Sequence, residues 1–187
     1  MREEKNRIRQ ILRDRKAALT PAERLEKSTR ICRHVMEKIG DGEIVLAYTS
    51  KELEVNTNPL IDALLNHKNP VAVPIIQKED ISLRLSYIHD RSVLVPSTFG
   101  VPEPIGSEIT ARSEDISTIL LPMLGFDRTG ARIGYGAGYY DRFLEKNPGL
   151  KKIGIAFACQ EIKRLPVDAN DIRMDTIITE DGVVYPG

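Results

Sequence analysis

The chain has only two cysteines, Cys32 and Cys159, and they stand far apart. That excludes a disulfide framework and a clustered cysteine metal site, and it suits a compartment that keeps both thiols reduced. It carries no net charge: 27 lysines and arginines offset 27 aspartates and glutamates. General nucleic-acid binding, which needs a basic surface, is therefore not expected. No apolar run is long enough to span a bilayer. The N-terminus is charged from Arg2 onward and lacks the apolar stretch of a secretory signal. We expect a cytoplasmic monomer with neither nucleic acid nor membrane as partner. Several catalytic devices are missing as well. There is no HExxH or CxxC motif and no serine flanked by glycines in a nucleophile elbow, so neither zinc nor covalent catalysis has support.

What is present reads as one folded domain spanning 1–187, because 41% hydrophobic against 29% charged residues is the balance of a globular chain. Ile8, Ile11, Leu12 and Leu19 recur at helical spacing over 4–19. Lys5 and Arg9, four apart, share a face of that helix and can grip a phosphate, although such pairs are also common on solvated faces. Residues 1–38 hold an excess of six positive charges. Thr20-Pro21-Ala22-Glu23 is a helix start with a capping box, and Gly40 is its expected stop. Cys32 falls on the apolar stripe of that helix and is read as core.

Apolar runs at Glu43–Tyr48, Val71–Pro74, Leu83–Ile88, Ile116–Leu121, Ile153–Phe157 and Asp175–Thr179 predict strands, with Val183–Tyr185 as a small hairpin partner. Helices predicted at Thr57–His67 and Tyr139–Lys146 alternate with them. A layered α/β sheet follows. The polar loop after the first strand puts Glu52 and Glu54 where ligands bind in such sheets. Pro96–Pro104 is expected to be an irregular loop, which either borders a ligand pocket or serves as a connector.

Arg132-Ile133-Gly134-Tyr135-Gly136-Ala137-Gly138-Tyr139-Tyr140-Asp141 is the most informative stretch. Its glycines permit close ligand approach. Successive backbone N–H groups before a helix N-terminus can cradle an anion. A plain strand-to-helix turn fits the glycines equally well. No lysine followed by Ser or Thr comes after Gly138, and no third glycine stands three residues beyond the second, so the common nucleotide fingerprints are excluded. Asp141 and Asp171 are hard oxygen donors of the sort magnesium uses together with phosphates.

The run from Leu121-Pro122 through Phe126-Asp127 and Gly130-Ala131-Arg132 to Tyr139-Tyr140-Asp141-Arg142-Phe143-Leu144 resembles the signature of the 5-formyltetrahydrofolate cyclo-ligase family. Weaker matches extend over most of the chain: Lys5 and Arg9, Glu54-Val55-Asn56-Thr57, Phe99-Gly100, Glu103-Pro104, Gln160, Leu165-Pro166, Asp171 and Ile178-Thr179-Glu180. Asn170 stands where a histidine is frequent, and Met123-Leu124-Gly125 varies the loop before Phe126. The resemblance implies a three-layer, Rossmann-like, mostly parallel sheet with helices on both faces. It implies a magnesium-dependent reaction of ATP with 5-formyltetrahydrofolate. Lys5, Arg9, Arg132, Ile133, Gly134, Tyr135, Gly136, Ala137, Gly138, Tyr139 and Tyr140 would contact ATP. Thr49, Glu54 and Tyr135 through Tyr139 would meet the folate, and Asp141 and Asp171 would hold magnesium. A binding module without turnover, or an ATP-dependent enzyme for another amide, would use the same residues.

Overall fold

The computed structural model describes residues 2–168 and 171–187, so Asn170 lies outside the described residues. Helix α1 runs Arg2–Ala17, and α2 runs Pro21–Met36 behind the Thr20 cap. Thr20 Oγ1 accepts from the Glu23 N–H, and Glu23 Oε2 accepts from the Thr20 N–H, which completes the predicted capping box. Gly40 does not stop α2. The helix ends at Met36, because the N–H groups of Lys38 and Ile39 turn to carbonyls three residues back and tighten its last turn. Strand β1 (Val45–Leu46), helix α3 (Asn58–Asn66), and strands β2 (Val71–Gln77) and β3 (Ser82–Ile88) follow. Then come β4 (Val95–Pro96), β5 (Pro102–Glu103), β6 (Ile109–Ala111), β7 (Thr118–Pro122), β8 (Gly125–Phe126) and β9 (Arg132–Ile133). The chain closes with α4 (Tyr139–Lys146), β10 (Lys151–Ile155), β11 (Thr176–Thr179) and β12 (Gly182–Val184).

Eight strands form the main sheet in the order β12-β11-β10-β7-β1-β2-β3-β6. The central five run parallel, β12 and β3 flank them antiparallel, and β6 pairs antiparallel with β3. Strand alternation sorts the core into two faces. Val45, Ala47, Val71, Val73, Leu120, Ile153 and Ile178 pack under α2 and α3, where Ile31, Val35, Leu60 and Leu64 are fully or almost fully buried. Leu46, Ala72, Ile119, Leu121 and Ile177 point the other way, toward Phe143 and Leu144 of α4. This is the expected three-layer, mostly parallel α/β fold. Cys32 lies in the first cluster as predicted, and burial pushes its thiol up to about 11.

Two loops proved more ordered than the sequence suggested. The segment expected to be irregular over Pro96–Pro104 contains an antiparallel ribbon of β4 and β5, closed by the Ser97 N–H donating to the Val101 carbonyl at 3.0 Å. The loop before the glycine run is a hairpin of β8 and β9. Its Gly125 lies so close beneath Leu12 that a Cβ there would sit 2.4 Å from Leu12 Cδ1. That contact seats α1 across the end of the sheet, with Leu12, Leu124, Ala131, Ile133 and Leu165 as a third buried cluster. Strand β2 also runs three residues past Pro74. The proline is tolerated because β1 pairs with β2 only at Val71 and Ala72 and leaves it before that point.

Candidate active site

That departure defines the site. From β1 the chain first adds β2 on one side and later β7 on the other, so β1 and β7 are neighbours whose connections run in opposite directions. In open α/β sheets this switch point opens a crevice at the carboxyl ends of the strands. Here Tyr48 and Thr49 follow β1, and Pro122 ends β7; all three line a cavity of about 880 Å³. Lys5, Arg9, Glu54, the whole run Arg132 through Asp141, and Asp171 line the same cavity. Every residue that the family resemblance assigns to a ligand is thus gathered there. Glu52 is not: it is exposed, whereas Glu54 is only 8% exposed.

One wall is built from opposite charges. Lys5 Nζ donates to Asp171 Oδ2 at 2.7 Å and to Asp168 Oδ2 at 2.6 Å. Burial works to lower the Lys5 pKa, but the two carboxylates win and raise it. Burial works to raise the Asp171 pKa, but the Lys5 ammonium and the Asp168 amide hold it below the usual carboxylate range. Arg132, its side chain 5% exposed, donates through Nη2 to Asp141 Oδ1 at 2.5 Å. Its Nε is buried with no hydrogen-bond partner among the described residues. Arg9 Nε donates to the Gly134 carbonyl at 3.0 Å. Gly136, at φ 106°, stands with its missing Cβ facing the Arg9 guanidinium, so the chain passes close in a conformation that side chains resist. Gly138, at φ 76°, precedes α4 and leaves its first N–H groups without a side-chain cap. The arrangement presents cations and an uncapped helix start to one cavity.

A second cluster lies around Glu54. Its Oε1 accepts from the Tyr135 hydroxyl at 2.6 Å, and its Oε2 accepts from the Lys51 N–H at 2.9 Å. Burial, then the Glu54 charge, pushes the Tyr135 hydroxyl far above its ordinary pKa. Lys16 and Lys51 flank the Tyr135 ring, with ammonium-to-centroid distances of 5.6 and 5.2 Å. Thr49 Oγ1 donates to the Pro102 carbonyl at 2.7 Å and ties the β4–β5 ribbon to the rim. On that ribbon Phe99 meets Tyr139 edge-on, with ring centroids 6.4 Å apart. Tyr140 is packed between both core clusters, so of these two neighbours Tyr139 presents its ring toward the ribbon at the cavity rim.

Sequence reasoning missed Lys16, Lys51 and Asp168, whereas the alternative that the Pro96–Pro104 segment borders a pocket holds for Phe99. Lys16 had a readable signal, since it continues the stripe of Lys5, Arg9 and Leu12 on α1. Asp168 had none, because its partner Lys5 is at the other end of the chain. As for metal, no group of three or more His, Cys, Asp or Glu is placed to hold an ion among the described residues. Asp141 and Asp171 still fit a magnesium ion that a nucleotide would share, since magnesium takes one or two carboxylates and completes its shell with phosphates and water.

Fold and cavity together define an α/β protein of the enzyme type, with a charged crevice at a sheet switch point. The chain belongs to the 5-formyltetrahydrofolate cyclo-ligase family, whose model matches residues 1–180. It is a ligase of that kind. The 5-formyltetrahydrofolate cyclo-ligase of Escherichia coli is 28% identical over 180 residues, covering 92% of this chain and 98% of that one. The mouse (Mus musculus) protein of the same name is 28% identical over 192 residues, 95% and 94% of the two chains. The solution structure of Aquifex aeolicus 5,10-methenyltetrahydrofolate synthetase matches with a TM-score of 0.82 at 31% identity, over 97% of this chain and 92% of that one. Among the described residues no helix is long and apolar enough to cross a membrane.

Proposed function

We propose that the enzyme cyclises 5-formyltetrahydrofolate to 5,10-methenyltetrahydrofolate with ATP as phosphoryl donor and magnesium as cofactor, releasing ADP and phosphate. The observation that carries this reading is the pairing, in one cavity, of a wall with Lys5, Arg9 and Arg132, whose Nε has no partner among the described residues, with a buried carboxylate, Glu54. A triphosphate fits the first and the N–H edge of a pterin fits the second.

The formyl group is an amide, and its oxygen leaves poorly. That oxygen attacks the γ-phosphorus, the bond to ADP breaks, and an imidate phosphate forms. The N10 lone pair then attacks the formyl carbon, the N10 proton is lost, and phosphate departs with the original formyl oxygen. The substrate supplies its own nucleophile, so the protein needs no reactive serine, cysteine or histidine. Its work is positioning and charge stabilisation. Arg132 and Lys5 neutralise charge on the moving phosphoryl group. Arg9, the glycine run and the start of α4 hold the remaining phosphates. Both Glu54 oxygens already accept one hydrogen bond, and each keeps a further acceptor direction for the paired pterin donors. Tyr139 and Phe99 offer ring faces at the mouth.

Asp141 and Asp171 would hold magnesium, which supplies further charge neutralisation on the β- and γ-phosphates. Lys5 pairs with Asp171 and Arg132 with Asp141, so the carboxylates that would hold the ion lie beside the cations that would meet the phosphates. We place the reaction in the cytoplasm, where thiols such as Cys32 and Cys159 stay reduced.

The test is direct. Protein, ATP, magnesium and 5-formyltetrahydrofolate are mixed, and the near-ultraviolet absorbance of the conjugated methenyl product is followed. Stoichiometric ADP and methenyl product are expected. ATP hydrolysis without that band would assign the cavity to another amide, and binding without either would make the chain a non-catalytic module.

A further inference from the structure

We propose that Lys16 is a positioning residue for the folate: through the Tyr135 hydroxyl it orients Glu54 as the acceptor that meets the substrate. The inference rests on the reading of Glu54 as the folate carboxylate. Lys16 stands in the last turn of α1 and is 3% exposed. Among the described residues no carboxylate lies within ion-pair distance of its ammonium; Nζ donates to the Tyr135 hydroxyl oxygen at 3.2 Å. Burial lowers its pKa, and the charge of Glu54 opposes that shift. An ammonium buried with so few partners costs folding free energy, and an apolar side chain of equal length would not.

The ammonium has donors only. The Tyr135 oxygen must therefore accept from Lys16, and its own proton is directed to Glu54 Oε1 at 2.6 Å. The Lys51 N–H holds Oε2 from the other side. These contacts fix the plane of the carboxylate and the lone pairs it presents to the cavity. Lys5, Arg9 and Lys16 follow one another along a single stripe of α1. The helix that brings cations to the nucleotide therefore also anchors the folate wall.

The experiment compares wild type and Lys16→Met by thermal melting and by initial rates against each substrate. We expect Lys16→Met to melt no lower than wild type, to keep KM for ATP within twofold, and to raise KM for the folate about tenfold or more, the scale of one charge-assisted hydrogen bond. An unchanged folate KM would overturn the proposal. A lower melting temperature with both KM values rising together would overturn it too, since that is the signature of a purely structural residue. Wild-type protein that forms no methenyl product sinks the assigned reaction itself, whereas wild-type turnover with an unaltered Lys16→Met variant sinks only the role of Lys16.

Discussion

Arg132→Met separates catalysis from folding more cleanly than any other change in the cavity. Methionine keeps a long flexible stem and removes only the guanidinium. Two opposing stability effects follow. The ion pair with Asp141 is lost, but Asp141 is 40% exposed, and pairs open to solvent contribute about 0–1 kcal/mol. The buried, unpartnered Nε is also lost, and such a donor costs about 1–3 kcal/mol while it stays unsatisfied. The second outweighs the first by roughly 1 kcal/mol, so a gain in stability is the expected sign. Catalysis has no such compensation. If Nε and the guanidinium meet oxygens of the moving phosphoryl group, removing them should cost about 2.7–4 kcal/mol of transition-state stabilisation, roughly 10²–10³ in kcat. Arg132→Lys should recover little, because a point charge cannot replace a planar fork of donors. Urea unfolding gives the first quantity, and methenyl absorbance at saturating substrates gives the second. A variant with a urea midpoint no lower than wild type and a kcat within about threefold of wild type would refute the argument that the idle Nε awaits a phosphate.

Glu54→Gln keeps shape but loses the charge that two pterin donors would share; folate KM should rise about 100-fold, with ATP KM little changed, and equal rises for both substrates would contradict the assignment. Asp141→Asn and Asp171→Asn should each raise the magnesium concentration needed for half-maximal rate, so superimposable magnesium titrations would remove both from the metal site. Asp127 is 1% exposed and accepts from the Thr129 N–H, the Thr129 hydroxyl and the Leu165 N–H. Burial alone would raise its pKa, but these donors hold it lower, so its stabilisation is complete above the ordinary carboxylate range and is lost as pH falls through the folded value. Asp127→Ala should destabilise by about 3 kcal/mol near neutral pH, and a urea midpoint equal to wild type at pH 7 would show that the turn does not depend on it.

The sheet was legible because its central strands are buried on both faces and so read as continuous apolar runs, Ile44-Val45-Leu46-Ala47 above all. The start of α2 was legible because capping is local chemistry: Thr20 and Glu23 are three residues apart. Helix ends were less so. Gly40 looked like a stop, yet α2 closes four residues earlier by bonds that any side chain permits. Short ribbons such as β4–β5 and β8–β9 escaped notice because two-residue strands leave too little periodicity to detect.

The site shows the same division between local and long-range information. The glycine run announced itself because backbone conformation restricts which residues fit there. On glycines alone, however, a turn and an anion cradle were equally good, and the family pattern tipped the balance. What no local rule contains is the pairing of Lys5 with Asp171, or the chain of Lys16, Tyr135 and Glu54, whose members are separated by 81 to 166 positions. Such contacts follow from one topological fact: β1 and β7 are neighbours whose connections diverge, and the N-terminal helix lies across the gap between them. A charge on α1 therefore has one meaning on its outer face and another on the stripe through Lys5, Arg9, Leu12 and Lys16. The same residue type at Arg7 or Arg13 is exposed to solvent, whereas at Lys16 it is shut into the protein. The composition that reads as a solvated basic arm thus contains an inward-facing row of cations, of which Lys5 and Arg9 line the cavity and Lys16 lies buried behind Tyr135.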